Sequence, residues 1–419
     1  MIELTPGKIR NTSVGVPGSK SYTHRTIIGA ALSDGICRIE NPLDSDDTRL
    51  TLSALGKMGA GIDIQKNNLV IQGLNGRLQP CTDVIYLGNS GTSMRLLTGV
   101  SILGTGRYRF SGTDRMHERP VGALLDSLNQ MGISARSTGD NGCPPVEITA
   151  GEPKSLKVSM DCSTSSQYLS SLLLAAPCTS TGLEITVDKG PVSKPYIDMT
   201  LRILNQFGVE AARDGYTRYK IAGGQTYRAG TYRVESDCSQ AGYFWAAAAV
   251  SGARIQVADT RMDTVQGDVG LVNVFERMGC RVAHESGGIA VTGGRLNGVT
   301  VDMGDMPDMV PTLAVVAAFA DGRTVIRNVS HLKVKECDRL GSVVRELGKM
   351  GISAVSGEND LIIDGGRPHG ALIETYEDHR MAMSFAVAGL MVPGVKIKDE
   401  TCVEKSFPDF WNVLEQLHD

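Results

Sequence analysis

Residues 347–364 read LGKMGISAVSGENDLIID, and this stretch decides the fold. An amphipathic helix end runs into a glycine, a short strand, a polar turn and a second strand, which is a helix leading into a β-hairpin. The pattern recurs upstream as LGKMGAGIDI (55–64), LNQMGISARS (128–137), LNQFGVEAAR (204–213) and FERMGCRVAH (275–284). Its glycines, Gly59, Gly132, Gly208, Gly279 and Gly351, stand 71 to 76 residues apart. Glycine is expected there because the residue just past a helix often takes a positive φ. A sixth helix, around Phe410–Leu417, has no hairpin behind it, so six similar units fill the chain. The amino-terminal strands are expected to fold back and supply the missing hairpin.

A second register lies between these marks. Polar turns lead into Ala-rich apolar runs at PGSKSYTHRTIIGAAL (17–32), GNSGTSMRLLTGV (88–100), STSSQYLSSLLLAA (163–176), SDCSQAGYFWAAAA (236–249), DMPDMVPTLAVVAA (305–318) and YEDHRMAMSFAVAG (376–389). Ser21, Gly91, Ser165, Ser239, Asp308 and Asp378 mark them, 69 to 74 residues apart. Ser, Thr, Asn or Asp before an apolar run is the composition of a capped helix start. Ala-rich faces point to helices packed inside a domain. Six helix N-termini with free N–H groups make an anion-binding apparatus if they converge. Repetition as architecture alone is the alternative.

Composition bounds the function. A chain of 419 residues is too long for one ordinary core. Its 49 glycines exceed the usual share of ~7%, as tight turns or close ligand approach require. Nine cysteines without a CxxC pair argue against a zinc site or disulfide framework and for a cytoplasmic location. The opening MIELTPGKIR lacks the apolar run of a signal peptide, and no stretch is long enough to span a bilayer. A net charge of −4 with no basic block disfavours a nucleic-acid partner.

Pro17-Gly18-Ser19-Lys20-Ser21 is not a Walker A loop, because Ser19 separates Gly18 from Lys20. It places Lys20 and Arg25 near a helix N-terminus, where cations oppose the dipole and a bound anion relieves the conflict. Solvated surface cations are the alternative. Arg95, Arg115 and Arg119 around His117, Lys333, Lys335 and Arg339 in HLKVKECDRL, His379-Arg380 and Lys405 extend the set. Asp308 reads as a helix cap or a functional acid. Glu336 and Asp338 read as surface ion pairs or as acid–base groups tuned by neighbouring cations. No metal-ligand spacing or nucleophile motif is present.

Read together, PGSKS with Arg25, LDSDDT, LGNSGTSMRLL, RMHERPVG, SSQYL, VSKPYID, VESDCSQAGYF, QGD, MPD, VKECDRL, YEDHRMAM and EKSFPDF resemble the enolpyruvyl transferases, in the branch that acts on shikimate 3-phosphate. The resemblance runs in order from about residue 15 to 410. It implies an α/β fold of two similar domains, each of three βαβαββ units, an inside-out α/β barrel with helices surrounded by sheets. One domain would comprise 1–15 and 236–419, the other 20–233, with hinges at 14–20 and 233–238. The implied reaction joins phosphoenolpyruvate to shikimate 3-phosphate, releasing phosphate, with no metal or organic cofactor.

Motif by motif, the resemblance assigns Ser21, Arg25, Ser165, Ser166, Ser193, Asp308, Lys335 and His331 to shikimate 3-phosphate, with Tyr196 against its ring. Lys20, Gly91, Arg119, Gln167, Arg339, Arg380 and Lys405 fall to phosphoenolpyruvate. Asp308 would act on the 5-hydroxyl, Glu336 on the C3 proton and Lys20 on the leaving group, with His379 in the catalytic set. Domain closure on binding and a monomer are expected. His331 stands where Asn is common, His117 where Lys is frequent and Leu96 where Pro is frequent, which leaves glyphosate sensitivity open. A related transferase acting on UDP-N-acetylglucosamine is the nearest alternative, but its loop cysteine is missing between Cys81 and Cys143. A non-catalytic scaffold binding phosphometabolites is the other.

Overall fold

The computed structural model describes residues 1–419. All five repeat glycines have positive φ, from +77° to +115°. Each is followed by an antiparallel hairpin: Gly61–Gln65 with Asn68–Gln72, Ala135–Ser137 with Val146–Thr149, Ala212–Asp214 with Arg218–Ala222, Arg281–Glu285 with Gly288–Thr292, and Ser353–Ser356 with Asp360–Asp364.

The chain divides into two compact units, residues 18–234 and residues 1–17 with 235–419. In the first, three four-stranded sheets share one plan. A strand lies parallel to the central strand, whose other edge pairs antiparallel with the hairpin. Thus Val84–Tyr86 flanks Arg107–Ser111, and Lys157–Asp161 flanks Gly182–Lys189. Strand side chains alternate, as in Arg218–Ala222, where Tyr219 and Ile221 are buried and their neighbours exposed. One face of each sheet therefore covers helices and the other meets solvent.

Those helices are the apolar runs that follow the polar turns. Lys20–Leu32, Gly91–Val100 and Gln167–Ala175 are buried over nearly their whole length. Gly91–Val100 packs along Gln167–Ala175 closely enough that a Cβ on Gly99 would lie 2.3 Å from Ser171 Oγ. In the second unit Cys238–Ser251, Val310–Ala317 and His379–Gly389 contact one another pairwise. Their alanines bring the backbones together. Helices are thus inside and sheets outside.

The amino-terminal strands meet the expectation in part. Ile2–Glu3 returns to the last unit, pairing with Lys396–Ile397 beside Leu372–Ile373, and Ile9 bridges antiparallel to His418. Thr12–Val14 lies parallel to Arg254–Ala258, in the sheet of the fourth unit. That position would otherwise belong to Thr231–Arg233, the strand just before the helix Cys238–Ser251. Thr231–Arg233 instead runs parallel to Ile36–Glu40 in the first unit's sheet. Each leading strand completes the sheet of the unit it is leaving.

Candidate functional site: two groups of charged side chains at helix starts

Every inner helix begins within two residues of its sequence mark, at Lys20, Gly91, Gln167, Cys238, Val310 and His379. Ser90, Asp237 and Asp378 cap their helices with side-chain oxygens, whereas Ser19 and Ser166 make no such bond. Helix starts therefore carry function-bearing side chains as well as caps.

In residues 18–234, Lys20 Nζ lies 3.0 Å from Oδ2 of buried Asp47. Arg25 is different. Its guanidinium is 1% exposed, yet it meets only neutral oxygens: Thr200 Oγ1 at 2.7 Å, Ser21 O at 3.0 Å and Ser170 Oγ at 3.3 Å. The Tyr196 ring is 5.9 Å from its Cζ. Burial pulls the Arg25 pKa down to about 10. A buried cation whose partners are all neutral oxygens favours an anion beside it.

Arg119 Nη1 donates to the backbone and side-chain oxygens of Asn89 at 2.8 and 2.9 Å. This sets the guanidinium against Gly91, where a Cβ would stand 2.4 Å from Arg119 Nη2. Gln167 accepts from Arg95 at 3.0 Å and donates to Thr92 Oγ1 at 3.0 Å. Ser165 Oγ accepts from Gln167 N, and Ser166 Oγ donates to Ser193 O. Ser193 takes a left-handed φ of +54°. These links join the start of one inner helix to the next.

In the other unit, Asp308 lies in the short turn Pro307–Met309 and does not cap. Its Oδ1 accepts from Arg339 Nη1 at 2.7 Å and its Oδ2 from Arg380 Nη2 at 2.8 Å. Burial pushes the Asp308 carboxyl up, but Arg380, Arg339 and Lys335 together hold it well below the usual carboxylate range. Arg339, itself buried, also donates to Asp378 Oδ2 at 2.7 Å and Glu336 Oε2 at 2.8 Å. Arg380 Nη1 reaches the Tyr243 hydroxyl at 3.4 Å. Asp338 does cap, accepting from Gly341 N, which leaves Glu336 as the acid facing the arginines.

Buried Asp268 accepts from Ser239 Oγ. Burial and the Asp308 charge raise its pKa to about 7, so the proton of the coupled pair sits on Asp268 and Asp308 stays ionised. Burial, then Lys335, push His331 down to about 3, and its Nε2 has no hydrogen-bond partner within the protein. The ring is a neutral hydrogen-bonding group. His379 is wholly buried, its Nδ1 3.6 Å from Asp378 Oδ1. Lys405 is buried and Lys335 half-buried. By contrast, Lys333 donates to the Gly357 and Glu358 carbonyls, and Arg115 pairs with Glu118 at the surface.

Sequence reading missed the partners that hold these groups: Asp47, Asn89, Thr200, Ser170, Tyr243 and Asp268. All but Thr200 lie in stretches already singled out, but which charged group each one faces depends on the tertiary fold. No cluster of three or more His, Cys, Asp or Glu is placed to hold a metal ion.

Buried cations, paired acids and small hydroxyls at helix starts define a protein that handles anionic substrates. The family model described as EPSP synthase (3-phosphoshikimate 1-carboxyvinyltransferase) matches residues 4–414. A 3-phosphoshikimate 1-carboxyvinyltransferase of Syntrophobacter fumaroxidans is 42% identical over 96% of each chain. One of Methanoculleus marisnigri is 41% identical over 95% of this chain and 94% of its own. The solved structure of EPSP synthase from Acinetobacter baumannii superposes with a TM-score of 0.83 at 29% identity, covering 99% of this chain and 98% of its own. This chain belongs to the EPSP synthase family. The UDP-N-acetylglucosamine and scaffold alternatives are not favoured by these matches.

Proposed function

We propose a division of labour among the two groups of side chains for the reaction of this family. The chain transfers the enolpyruvyl group of phosphoenolpyruvate to the 5-hydroxyl of shikimate 3-phosphate and releases phosphate. Arg25, Ser21, Ser165, Ser166, Ser193 and Tyr196 take shikimate 3-phosphate, together with Asp308, His331 and Lys335. Lys20, Gly91, Arg119 and Gln167 take phosphoenolpyruvate, together with Arg339, Arg380 and Lys405.

The observation that carries this reading is Asp308 held between Arg339 and Arg380. Paired in this way, Asp308 is a weak base. A carboxylate and a phosphate arriving on the arginines neutralise them, and their hold on Asp308 weakens. Its basicity then rises when the second substrate is in place. Asp308 takes the proton of the 5-hydroxyl as the oxygen bonds to C2 of the enolpyruvyl group. Protonated Glu336 gives a proton to C3. The tetrahedral adduct then loses a C3 proton back to Glu336 as the C–O bond to phosphate breaks; the proton taken by Asp308 passes to the departing phosphate, whose remaining charge Lys20 offsets. His379 supports this set from the same helix start as Arg380.

Compaction of the protein on binding is expected from the family resemblance, and X-ray scattering with shikimate 3-phosphate measures it. Nine unpaired cysteines support a cytoplasmic setting. A monomer suffices for this scheme, and sedimentation checks it.

The test is phosphate release with each substrate alone and with both. Release only with both, and a fall of at least ~100-fold in kcat for Glu336→Gln, is expected for a residue that moves a proton in the transition state. Unchanged kcat in Glu336→Gln would remove it from the chemistry.

A further inference from the structure

The outer helix Arg339–Lys349 grips the segment that carries Asp378 and Arg380 at two points. At its first residue, Arg339 Nε donates to Asp378 Oδ2 at 2.7 Å. Two turns further on is Glu346, a carboxylate with no exposed surface. Its Oε1 accepts from the Tyr376 hydroxyl at 2.5 Å. Its Oε2 accepts from Glu374 N at 3.1 Å and from Lys349 Nζ at 2.7 Å. Arg345 donates to the same hydroxyl at 3.0 Å and lies 5.3 Å from the Tyr376 ring centre.

What these bonds hold is a strained turn. Tyr376 and Glu377 both have φ of +55°, consecutive left-handed residues without a glycine. Directly after them, Asp378 caps the helix His379–Gly389 and Arg380 reaches Asp308. Such a turn persists only where its surroundings over-determine it. A buried carboxylate is a costly way to fill space, since a leucine would pack without desolvating a charge. Its fixed acceptors do what a leucine cannot.

We propose that Glu346 is a positioning residue: through the Tyr376 hydroxyl and the Glu374 N–H it holds the left-handed turn that aims Arg380 at Asp308 and at the incoming phosphoenolpyruvate. The inference rests on the assignment of Arg380 to phosphoenolpyruvate. Releasing the turn lets Arg380 swing and frees the Asp378 cap. The effect falls mainly on phosphoenolpyruvate, because Arg380 is assigned to it, whereas Arg25, Ser21, Ser165, Ser166 and Ser193, which hold shikimate 3-phosphate, lie outside this unit; Asp308, which lies inside it, keeps its bond from Arg339.

The experiment compares Glu346→Gln, Glu346→Asp, Tyr376→Phe and Arg380→Lys by steady-state kinetics, with hydrogen exchange over residues 374–381. Tyr376→Phe is the mild variant, removing one hydroxyl from a fold otherwise intact. Glu346→Gln and Tyr376→Phe are expected to raise the KM for phosphoenolpyruvate about tenfold, the loss of one charge-assisted hydrogen bond, and to speed exchange in the segment. The KM for shikimate 3-phosphate is expected to stay within about twofold, and Glu346→Asp to recover part of the loss. If Arg380→Lys raises the KM for phosphoenolpyruvate while Tyr376→Phe and Glu346→Gln leave it unchanged, the positioning role is refuted and the Arg380 assignment stands. If Arg380→Lys leaves that KM unchanged, the assignment is refuted, and this inference with it. Equal rises in both KM values would mean general loosening and would also overturn it.

Discussion

Arg25→Met separates the needs of the fold from those of the substrate. The Arg25 pKa of about 10 corresponds to ~3 kcal/mol for keeping the buried guanidinium charged at pH 7, where the full cost applies because the pH lies below the folded value. Methionine follows the same path through the core without a charge. Thr200 Oγ1 keeps its bonds to Ser170 Oγ at 3.0 Å and Tyr196 O at 2.8 Å, so no buried hydroxyl is orphaned. Against the ~3 kcal/mol gained stands ~1 kcal/mol of lost packing in a shorter side chain. The unliganded protein is therefore expected to become more stable by ~2 kcal/mol in urea unfolding. Binding moves the other way. Two charge-assisted hydrogen bonds to a phosphate contribute ~1.5–3 kcal/mol each, so affinity for shikimate 3-phosphate, read by calorimetry, should fall at least ~100-fold. Millimolar inorganic phosphate should raise Tm in the parent protein and not in the variant. Arg25→Met destabilising the unliganded protein by more than ~1 kcal/mol would refute the idea that this cation is held for a ligand at the fold's expense.

Three further perturbations follow from the same structure. Gly279 has φ +115° and a Cβ there would lie 2.3 Å from Arg295 O, so Gly279→Ala should cost ~2–4 kcal/mol in unfolding. Gly348 sits in the helix Arg339–Lys349 with open space around it, and Gly348→Ala should gain ~0.5–1 kcal/mol. Asp268, with its pKa raised to about 7, holds a proton in the folded state that the unfolded chain has released above pH ~4. Stability therefore falls as pH rises from ~4 to ~7, by up to ~1.4 kcal/mol per pH unit, and Asp268→Asn should flatten that slope in urea midpoints. Asp308 acts with opposite sign, but its carboxyl lies so low that its contribution is lost only in strong acid.

The repeat was legible because two local rules write it into the chain. A residue past a helix end needs positive φ, so glycine marks five hairpins. An inner helix must let neighbours approach, so small residues (alanine, glycine or serine) mark the six runs. Neither rule says which sheet a strand joins. Thr12–Val14 and Thr231–Arg233 are short strands of similar character, and their exchange is decided by the pairing surfaces of Arg254–Ala258 and Ile36–Glu40. At the candidate site, residue types and their order were readable, as in Asp308, Arg339 and Arg380. Their bonding was not. Asp308 looked like a cap until the fold set two arginines on its oxygens, while Asp338, one residue from Arg339, turned out to be the cap. Glu346 lies on a helix whose sequence marks only amphipathicity, so its grip on Tyr376, 30 residues away, has no local signature.

The exchange of leading strands also bears on how the chain closes its longest loop. Thr12 pairs with Ile255, 243 residues later. Residues 18–234 contain every strand of their own three sheets and can fold while that pairing is still unmade. Once folded, they hold their own ends together: Asn41 Nδ2 donates to Val234 O at 3.0 Å, and a Cβ on Gly18 would touch Asn41 O and Val234 Cγ1. The disordered length between the two strands then shrinks from the whole insertion to about a tenth of it. Closure entropy scales with the logarithm of loop length, which makes the pairing easier by ~2 kcal/mol. Folding of the outer unit is thereby made contingent on the inner one, and a destabilised segment within 18–234 would appear first as slow registration of Thr12–Val14.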